Sequence, residues 1–116
     1  MKPATGNTEA HALVQNVRNF IDSQYTTPIS LEDISKKFGY TEEYILRLFK
    51  KHYDISPHQY LIRLRMEQAM WLLENTDISI EQTAISVGYS DSSSFYRGFK
   101  KAFGISPGAV KKNKES

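Results

Sequence analysis

The chain has 116 residues and a net charge of +2, and this size allows one domain or two small lobes that share a helix. It contains no cysteine, which excludes a disulfide framework, a thiolate zinc site and a cysteine nucleophile. It has no signal-peptide pattern and no apolar run near the ~18 residues of a membrane span, so we expect a cytoplasmic protein without membrane association.

The first predicted element is a helix from about residue 8 to residue 24. Its apolar side chains recur at helical spacing, at Leu13, Val17, Phe20 and Ile21. Pro28 prevents the helix from continuing. Residues 1–7, which include Pro3 and Gly6, are interpreted as a flexible N-terminal tail.

Two short helices joined by a sharp turn are predicted next. Ser30 caps the first of them, and Gly39 supplies the left-handed residue of the turn. Thr41 caps the second, which is predicted to run from residue 42 to about residue 53. Because two short helices joined through a glycine are typical of a helix-turn-helix, residues 8–55 are predicted to form a first lobe.

A long linker helix is predicted over residues 56–75. Ser56, Pro57 and Gln59 form its start signal, with a serine N-cap, a proline at the first position and a glutamine that reaches back. The pattern predicts Ile62, Met66, Ala69 and Leu73 on one face, with Leu61, Leu64, Trp71 and Leu72 beside it. We expect so broad a face to contact structure on both sides.

A second pair of short helices is predicted over residues 76–112. Ser79 starts the first with a capping box, Gly88 makes the turn, and Asp91 or Ser90 caps a helix that ends near residue 103. The predicted core face of that helix comprises Phe95, Phe99, Ala102 and Phe103.

The end of the chain is predicted to be loosely structured. A last turn starts at Ser106-Pro107 and frays into a tail over residues 113–116. No segment has the pattern of a strand. The predicted fold is therefore all-α, with about seven helices in two homeodomain-like helix-turn-helix lobes joined by the linker helix.

Much of the first lobe is repeated in the second. Residues 39–57 read G-Y-T-E-E-Y-I-L-R-L-F-K-K-H-Y-D-I-S-P, and residues 88–107 read G-Y-S-D-S-S-S-F-Y-R-G-F-K-K-A-F-G-I-S-P. The offset is 49 residues before the turn and 50 from Arg47 onward, so the second copy has one extra residue after its turn. A duplicated unit of this length indicates two copies of one supersecondary motif.

The duplication includes outward-facing side chains. The outer stripe of the first copy is Glu43, Leu46, Arg47 and Lys50, and that of the second copy, 50 residues later, is Ser93, Tyr96, Arg97 and Lys100. A helix fits the major groove of DNA, where arginine can bond guanine O6 and N7. Neighbouring lysines can neutralise phosphates.

Solvated helix faces are the alternative interpretation, and they are ordinary for any single charged residue. The matched pair of stripes favours DNA binding. Leu46 alone is more typical of a core or subunit-contact position. A linker of about 18 residues spans about 27 Å, near the ~34 Å of one DNA turn, so we predict two successive major-groove contacts on one duplex.

These residues resemble the DNA-binding domain of the AraC/XylS family of transcription regulators. The resemblance covers residues 14–112, is most specific over residues 88–107, and includes the linker pattern of Tyr60, Arg65-Met66, Ala69 and Leu72-Leu73. The length is similar to that of the free-standing, MarA/SoxS-type members. A free-standing protein and the C-terminal domain of a longer, effector-sensing regulator both fit the sequence.

The resemblance implies sequence-specific binding of double-stranded DNA and regulation of transcription, mostly activation through RNA polymerase, with no cofactor. The implied base-reading residues are Glu43, Leu46, Arg47, Ser92, Ser93, Tyr96 and Arg97. The predicted phosphate contacts are Thr41, Lys50, Lys51, Ser90, Lys100 and Lys101. The resemblance also implies that Arg65 is an internal structural arginine. The chain is expected to be a monomer as it stands, and a dimer is possible within a longer protein.

Two features depart from the simple pattern. The family's second copy usually ends S-P-x-x-Y-R, whereas residues 106–111 lack the tyrosine and the arginine, which affects how the last helix packs. Gly98 lies inside a predicted reading helix and costs about 1 kcal/mol relative to alanine, so we expect that helix to be soft until it binds.

Two other classes of function are weighed against DNA binding. An enzyme is not indicated, because His11, His52 and His58 share no metal or triad spacing and no converging carboxylates or phosphate loop occur. A helical protein-interaction module would use Leu46, Tyr89 and Tyr96 as an apolar patch. Its binding would resist salt, whereas DNA binding would weaken steeply.

Overall fold

In the computed structural model, the described part of the chain is the backbone of residues 2–115 and the side chains of residues 8–114. Within it there are seven helices and no strand: α1 (Lys2–Gln24), α2 (Leu31–Phe38), α3 (Glu42–Tyr53), α4 (Pro57–Asn75), α5 (Ile80–Ser86), α6 (Ser92–Phe103) and α7 (Pro107–Glu115). The predicted all-α fold is confirmed. None of these helices is both long and apolar enough to cross a membrane.

The chain divides into two compact units. The first contains Met1–Gln24 and Ile29–Leu61, and the second contains Tyr25–Pro28 and Ile62–Ser116. The start of α4 therefore belongs to the first unit and the rest of it to the second. The predicted division into a lobe at 8–55, a linker at 56–75 and a lobe at 76–112 stays a prediction.

The core of the first unit lies between α1, α2 and α3. Its buried apolar side chains are Leu13, Val14, Val17, Ile21, Ile34, Ile45, Leu48, Phe49 and Leu61. The ring of Phe49 contacts those of Tyr53 and Tyr60, at centroid distances of 4.7 and 5.9 Å. Burial of Phe49, at the centre of α3, fixes the face of that helix that meets the core.

The second unit builds its core from α4 to α7. The buried cluster comprises Met66, Ala69, Leu73, Ala84, Val87, Phe95, Phe99 and Val110. Phe95 and Phe99 are adjacent on α6, with ring centroids 5.7 Å apart. As in the first unit, aromatic side chains from one helix face fill the centre of the core.

The predicted starts of α4 and α5 are confirmed by their hydrogen bonds. At α4, Ser56 Oγ accepts from the Gln59 main-chain N–H at 3.1 Å, and the Ser56 N–H donates to Gln59 Oε1 at 2.8 Å. Ser79 and Gln82 form the same reciprocal pair at α5. These bonds satisfy main-chain donors that have no partner within the helix.

Three residues predicted to lie on or beside core faces are exposed instead. Trp71 is 56% exposed, because it lies about half a helical turn away from the buried Ala69 and Leu73 of α4. Ala102 and Phe103 are exposed because they occupy the last turn of α6, beyond the core cluster that receives Phe95 and Phe99. The Phe103 ring still contacts Phe99, at 4.8 Å between centroids.

Both ends of the chain are more helical than predicted. The backbone of α1 begins at Lys2 rather than near residue 8, since Pro3 falls in the first helical turn, where a missing N–H is tolerated. The backbone of residues 113–115 belongs to α7. Met1 and Ser116 lie outside the described residues, and the predicted flexibility of both tails stays a prediction.

The last helix packs without the family's usual tyrosine and arginine. Val110 of α7 is buried in the core cluster of the second unit. Lys111 Nζ donates to the Ile78 carbonyl at 2.7 Å, and Lys114 Nζ forms an ion pair with Asp77 at 3.1 Å. The expected fraying turn is therefore a nine-residue helix whose attachment uses an apolar residue and two lysines.

Arg65 is confirmed as an internal arginine. Its side chain is only 9% exposed, and it donates from Nε to the Tyr25 carbonyl at 2.8 Å and from Nη2 to the Thr27 carbonyl at 3.0 Å. The guanidinium also lies over the Tyr89 ring, 5.6 Å from its centroid. Burial lowers the pKa of Arg65 from its ordinary value, and it raises that of Tyr89.

The turn at Gly88 lies against this arginine. Gly88 has φ +103°, and a Cβ placed on it would be 2.8 Å from the Tyr25 carbonyl oxygen and 3.0 Å from Arg65 Nε. Gly39 and Gly104 also have left-handed φ angles, both +76°, but a Cβ on either would meet nothing within 4 Å. Gly88 is thus required for space as well as for backbone conformation.

Alanine substitutions test this difference. Gly104→Ala and Gly39→Ala are expected to cost about 1–2 kcal/mol each, the penalty of a left-handed alanine. Gly88→Ala is expected to cost at least about 3 kcal/mol, because it also displaces the hydrogen bonds of Arg65. Urea unfolding followed by circular dichroism measures all three. Equal losses for Gly88→Ala and Gly104→Ala, which share a unit, would contradict the close packing at Gly88.

Candidate nucleic-acid interface

Each of the two repeated helices starts with a side-chain cap. Thr41 Oγ1 accepts from the Tyr44 N–H at 3.2 Å at the start of α3. Asp91, rather than Ser90, caps α6, and its Oδ1 accepts from the Ser94 N–H at 2.7 Å. The caps are 50 residues apart, so the duplication is structural as well as sequential.

The outer face of α3 is solvent-exposed at three of its four predicted positions. Glu43, Arg47 and Lys50 are exposed. Leu46 is half-buried and lines a cavity of about 160 Å³ in the first unit, with Ile21, Ile29 and Leu61 among its other walls. Only part of the Leu46 side chain is therefore available to a ligand outside.

The outer face of α6 is exposed at every predicted position. Ser92, Ser93, Arg97 and Lys100 are exposed, and Tyr96 is 42% exposed. The buried Phe95 and Phe99 lie on the opposite side of the helix. The structure thus brings the predicted base-reading residues of the second copy onto one accessible surface.

The predicted phosphate contacts are all at the surface. They are Thr41, Lys50, Lys51, Ser90, Lys100 and Lys101, and each is exposed. The Thr41 oxygen is already a cap acceptor, but its hydroxyl hydrogen can still donate. The four lysines occupy the last turns of α3 and α6, where a positive charge is also favourable to the helix dipole.

Gly98 has a packing role that the sequence did not show. It is half-buried, and a Cβ at this position would lie 3.2 Å from Met66 Cε and 3.4 Å from the Tyr89 hydroxyl. The equivalent residue of the first copy is Leu48, which is buried. In α6, the side chains of Met66 and Tyr89 lie against Gly98, where the first copy has a leucine. The expected softness of this helix stays a prediction.

The contacts that Arg47 and Arg97 make with neighbouring side chains were not predicted from the sequence. Arg47 lies over the ring of Tyr44, with its Cζ 5.5 Å from the centroid. Arg97 Nη2 donates to Ser94 Oγ at 3.4 Å. Tyr44 and Ser94 each precede the arginine by three residues, a spacing that makes side chains neighbours on a helix and that could have revealed both contacts.

Two caps shift the pKa of a carboxyl group. Hydrogen bonds from the main-chain N–H and the hydroxyl of Ser94 lower the pKa of Asp91 from its ordinary value of 3.8, and the nearby Arg97 charge lowers it further. Bonds from the main chain and hydroxyl of Ser30 lower the pKa of Asp33 in the same way. Both acids are therefore ionised at neutral pH and bound to helix starts.

The described side chains contain no group of three or more His, Cys, Asp or Glu residues that could hold a metal ion. Two histidines that share no spacing in the sequence do meet: the rings of His11 and His52 have centroids 5.9 Å apart. His52 Nδ1 is 3.0 Å from the Leu48 carbonyl. The fold thus gives His52 an ordinary helical side-chain contact.

Comparison with known proteins identifies the family of this chain. A family model described as a helix-turn-helix domain matches residues 34–113. The chain belongs to the AraC-type helix-turn-helix family. The match includes the turns at Gly39 and Gly88 and both outer stripes, so the resemblance inferred from the sequence is confirmed.

Individual relatives and solved structures resemble this AraC-type chain over most of its length. The Msm operon regulatory protein of Streptococcus mutans is 37% identical over 106 residues, which cover 91% of this chain and 38% of that protein. The C-terminal domain of AraT, a response regulator from Geobacillus stearothermophilus, has a TM-score of 0.84 at 30% identity and covers 87% of this chain and 84% of that one.

A probable AraC family transcriptional regulator from Rhodopseudomonas palustris has a TM-score of 0.77 at 25% identity, covering 89% of this chain and 97% of that one. The AraC-type chain spans only 33–38% of the length of the first three curated relatives it matches.

The cap of α6 makes a pH dependence testable. Because the folded pKa of Asp91 is lowered, its contribution to stability is present above the unfolded value, near pH 4, and is lost as the pH falls through the folded pKa. Asp91→Asn keeps a capping oxygen but has no ionisable group. Wild-type protein is expected to lose more unfolding free energy than Asp91→Asn between about pH 5 and pH 2.5.

Urea unfolding at several pH values across that range measures the difference. The contribution of Asp33 to the pH dependence is the same in both proteins, so it cancels in the difference between them. Parallel stability curves for the two proteins would show that the Asp91 carboxylate is not bound at the helix start.

Proposed function

We propose that this chain binds double-stranded DNA sequence-specifically and regulates transcription, with α3 and α6 each entering a major groove. The observation that supports this most is the repetition of an exposed stripe on two short, capped helices whose opposite faces are buried. Each stripe contains an arginine and a lysine at the same place. Membership of the AraC-type family supports the same function.

Arg47 and Arg97 are the main base readers in this proposal. Each is exposed near the middle of its helix, and arginine can bond O6 and N7 of guanine together. Glu43, Ser92 and Ser93 lie toward the helix starts, where carboxylate or hydroxyl groups can meet base edges. Serine can bond to more than one base, so these positions refine the preference that the arginines set.

Leu46 and Tyr96 supply apolar contacts. Tyr96 is accessible enough to meet the methyl group of a thymine. Leu46 offers only its exposed edge, since the rest lines the cavity of the first unit. The two copies therefore contact bases with different apolar groups, and the DNA site need not be a repeat or a palindrome.

The remaining parts of the proposal concern the phosphates and the transcription machinery. Lys50, Lys51, Lys100 and Lys101 neutralise phosphates, and Thr41 and Ser90 donate hydrogen bonds to them. Activation by recruiting RNA polymerase is the mode that the family resemblance implies. The spacing of the two contacts by about one turn of the duplex stays a prediction.

The experiment is a binding series on a DNA site selected from a random pool. Arg47→Ala and Arg97→Ala are each expected to lose about 1–3 kcal/mol of preference at one position, and at a different position for each variant. Lys100→Ala is expected to weaken selected and random DNA alike. Titrations from about 50 to 200 mM salt measure whether affinity falls steeply, as counterion release requires.

Two results would contradict the proposal. Equal losses on selected and random DNA for Arg47→Ala would remove its assignment as a base reader. Binding that resists salt, together with selection of no preferred sequence, would favour a protein-interaction module instead. The apolar contacts of such a module would be those predicted from the sequence: Leu46, Tyr89 and Tyr96.

A further inference from the structure

The outer arginine of α3 contacts an aromatic ring. Its guanidinium carbon lies 5.5 Å from the centroid of the Tyr44 ring. Tyr44 in turn stacks on Tyr40, with centroids 5.4 Å apart and planes inclined by 22°. Tyr40, Tyr44 and Arg47 thus form a row of planar groups, the aromatic row, at the surface of the first unit.

The outer arginine of α6 is held by hydrogen bonds. Arg97 Nη2 donates to Ser94 Oγ at 3.4 Å, and the Ser94 hydroxyl donates to Asp91 Oδ2 at 3.0 Å. Asp91 is itself fixed, because its other oxygen accepts from the Ser94 N–H at 2.7 Å. We name Asp91, Ser94 and Arg97 the hydroxyl relay.

The two arrangements occupy equivalent positions. Tyr44 and Ser94 are 50 residues apart, the same offset as Arg47 and Arg97. Both residues lie one helical turn before the arginine, so their side chains share a face with it. The duplication thus preserves the place of a contact to the arginine, while its chemistry changes from a ring to a hydroxyl.

We propose that Tyr44 and Ser94 are positioning residues that sharpen the base specificity of Arg47 and Arg97. The proposal rests on the function proposed above. A free arginine side chain samples many rotamers, and ordering it reduces the binding energy that remains for discrimination. A side chain already held over Tyr44 or at Ser94 loses less freedom when it meets a guanine.

The two contacts leave different numbers of N–H donors available on Arg47 and Arg97. The cation–π contact between Arg47 and the Tyr44 ring uses none of the N–H donors of Arg47. The hydroxyl relay uses one N–H of Nη2, and the others of Arg97 are left for a base. Loss of Tyr44 therefore removes a ring contact that orients Arg47, whereas loss of Ser94 removes a hydrogen bond that orients Arg97.

Paired substitutions test the aromatic row. Tyr44→Leu removes the ring, and Tyr44→Phe keeps its face without the hydroxyl. We measure discrimination as a ratio: the dissociation constant for the site with the Arg47-dependent guanine replaced by adenine, divided by the dissociation constant for the selected site. Tyr44→Leu is expected to lower this ratio by about three- to fivefold, and Tyr44→Phe by less than about twofold.

The hydroxyl relay is tested by Ser94→Ala. This variant keeps the Ser94 main-chain N–H, so the cap formed by Asp91 Oδ1 is retained. The ratio at the Arg97-dependent guanine is expected to fall by about two- to threefold, while affinity for random DNA stays unchanged. Ser86→Ala, a substitution of an exposed serine on α5, is the matched control and should change neither quantity.

A double-mutant cycle separates positioning from folding. In the Arg47→Ala background, Tyr44→Leu should cause no further loss of discrimination, because the group that it positions is absent. A purely structural role would lower affinity in both backgrounds. An equal loss in both, or an equal loss on matched and substituted DNA, overturns the proposal.

Failure of this proposal is distinguishable from failure of the proposed function. If Arg47→Ala changes base preference and Tyr44→Leu does not, only the positioning role is wrong. If Arg47→Ala itself leaves base preference unchanged, the arginine is not a base reader. Both the reader assignment and the positioning role at that helix then fall together.

Discussion

The burial of one phenylalanine at the same place in each repeated helix is the constraint on which the rest of the structure depends. Phe49 and Phe99 are fully buried, each with an apolar residue one turn earlier on the same face. Because an α-helix advances by about 100° per residue, a buried residue leaves the one two positions earlier on the other side of the helix. Arg47 and Arg97 lie two positions before these rings and must face water.

The caps and turns act on the same two helices. Thr41 and Asp91 fix where α3 and α6 begin, and left-handed residues at Asp54 and Gly104 fix where they end. Helices of this length are marginal in water without tertiary packing. Core packing and capping together therefore make a defined outer surface from a segment that would not be stable alone.

Arg65 shows how the second unit satisfies a buried charge without an acidic partner. Two main-chain carbonyls and an aromatic face replace the water that a guanidinium requires. The carbonyls belong to Tyr25 and Thr27, in the segment between α1 and α2, and residues 25–28 belong to the second unit. The absence of a side chain at Gly88 leaves room for it.

Much of this fold could be predicted because its signals are local. Ser56 with Gln59, and Gly39 at the turn, mark boundaries through hydrogen bonds and backbone angles that span a few residues. Long-range features could not be predicted in that way. The partners of Arg65 lie 38 and 40 residues away, and nothing local to either segment encodes that contact.

The candidate site also combines features that could be predicted from the sequence with features that could not. Helical periodicity predicts that Arg47 and Arg97 face outward, and repetition makes the prediction specific. It fails at Phe103, because periodicity gives the direction of a side chain but not how far the core extends along the helix. The apolar face predicted for α4 is too wide, since it reaches Trp71, about half a turn away from the buried Ala69 and Leu73. The contacts of the outer arginines depend on rotamers, which the residue pattern does not specify.

The central claim is that the two copies each read bases in the major groove through one arginine. Methylation interference tests it most directly, since a methyl group on guanine N7 blocks the atom that arginine binds. The account predicts two separate groups of sensitive guanines in the selected site. Interference should vanish at one group in Arg47→Ala and at the other in Arg97→Ala. Loss at the same group in both variants, or no sensitive guanine at all, would contradict it.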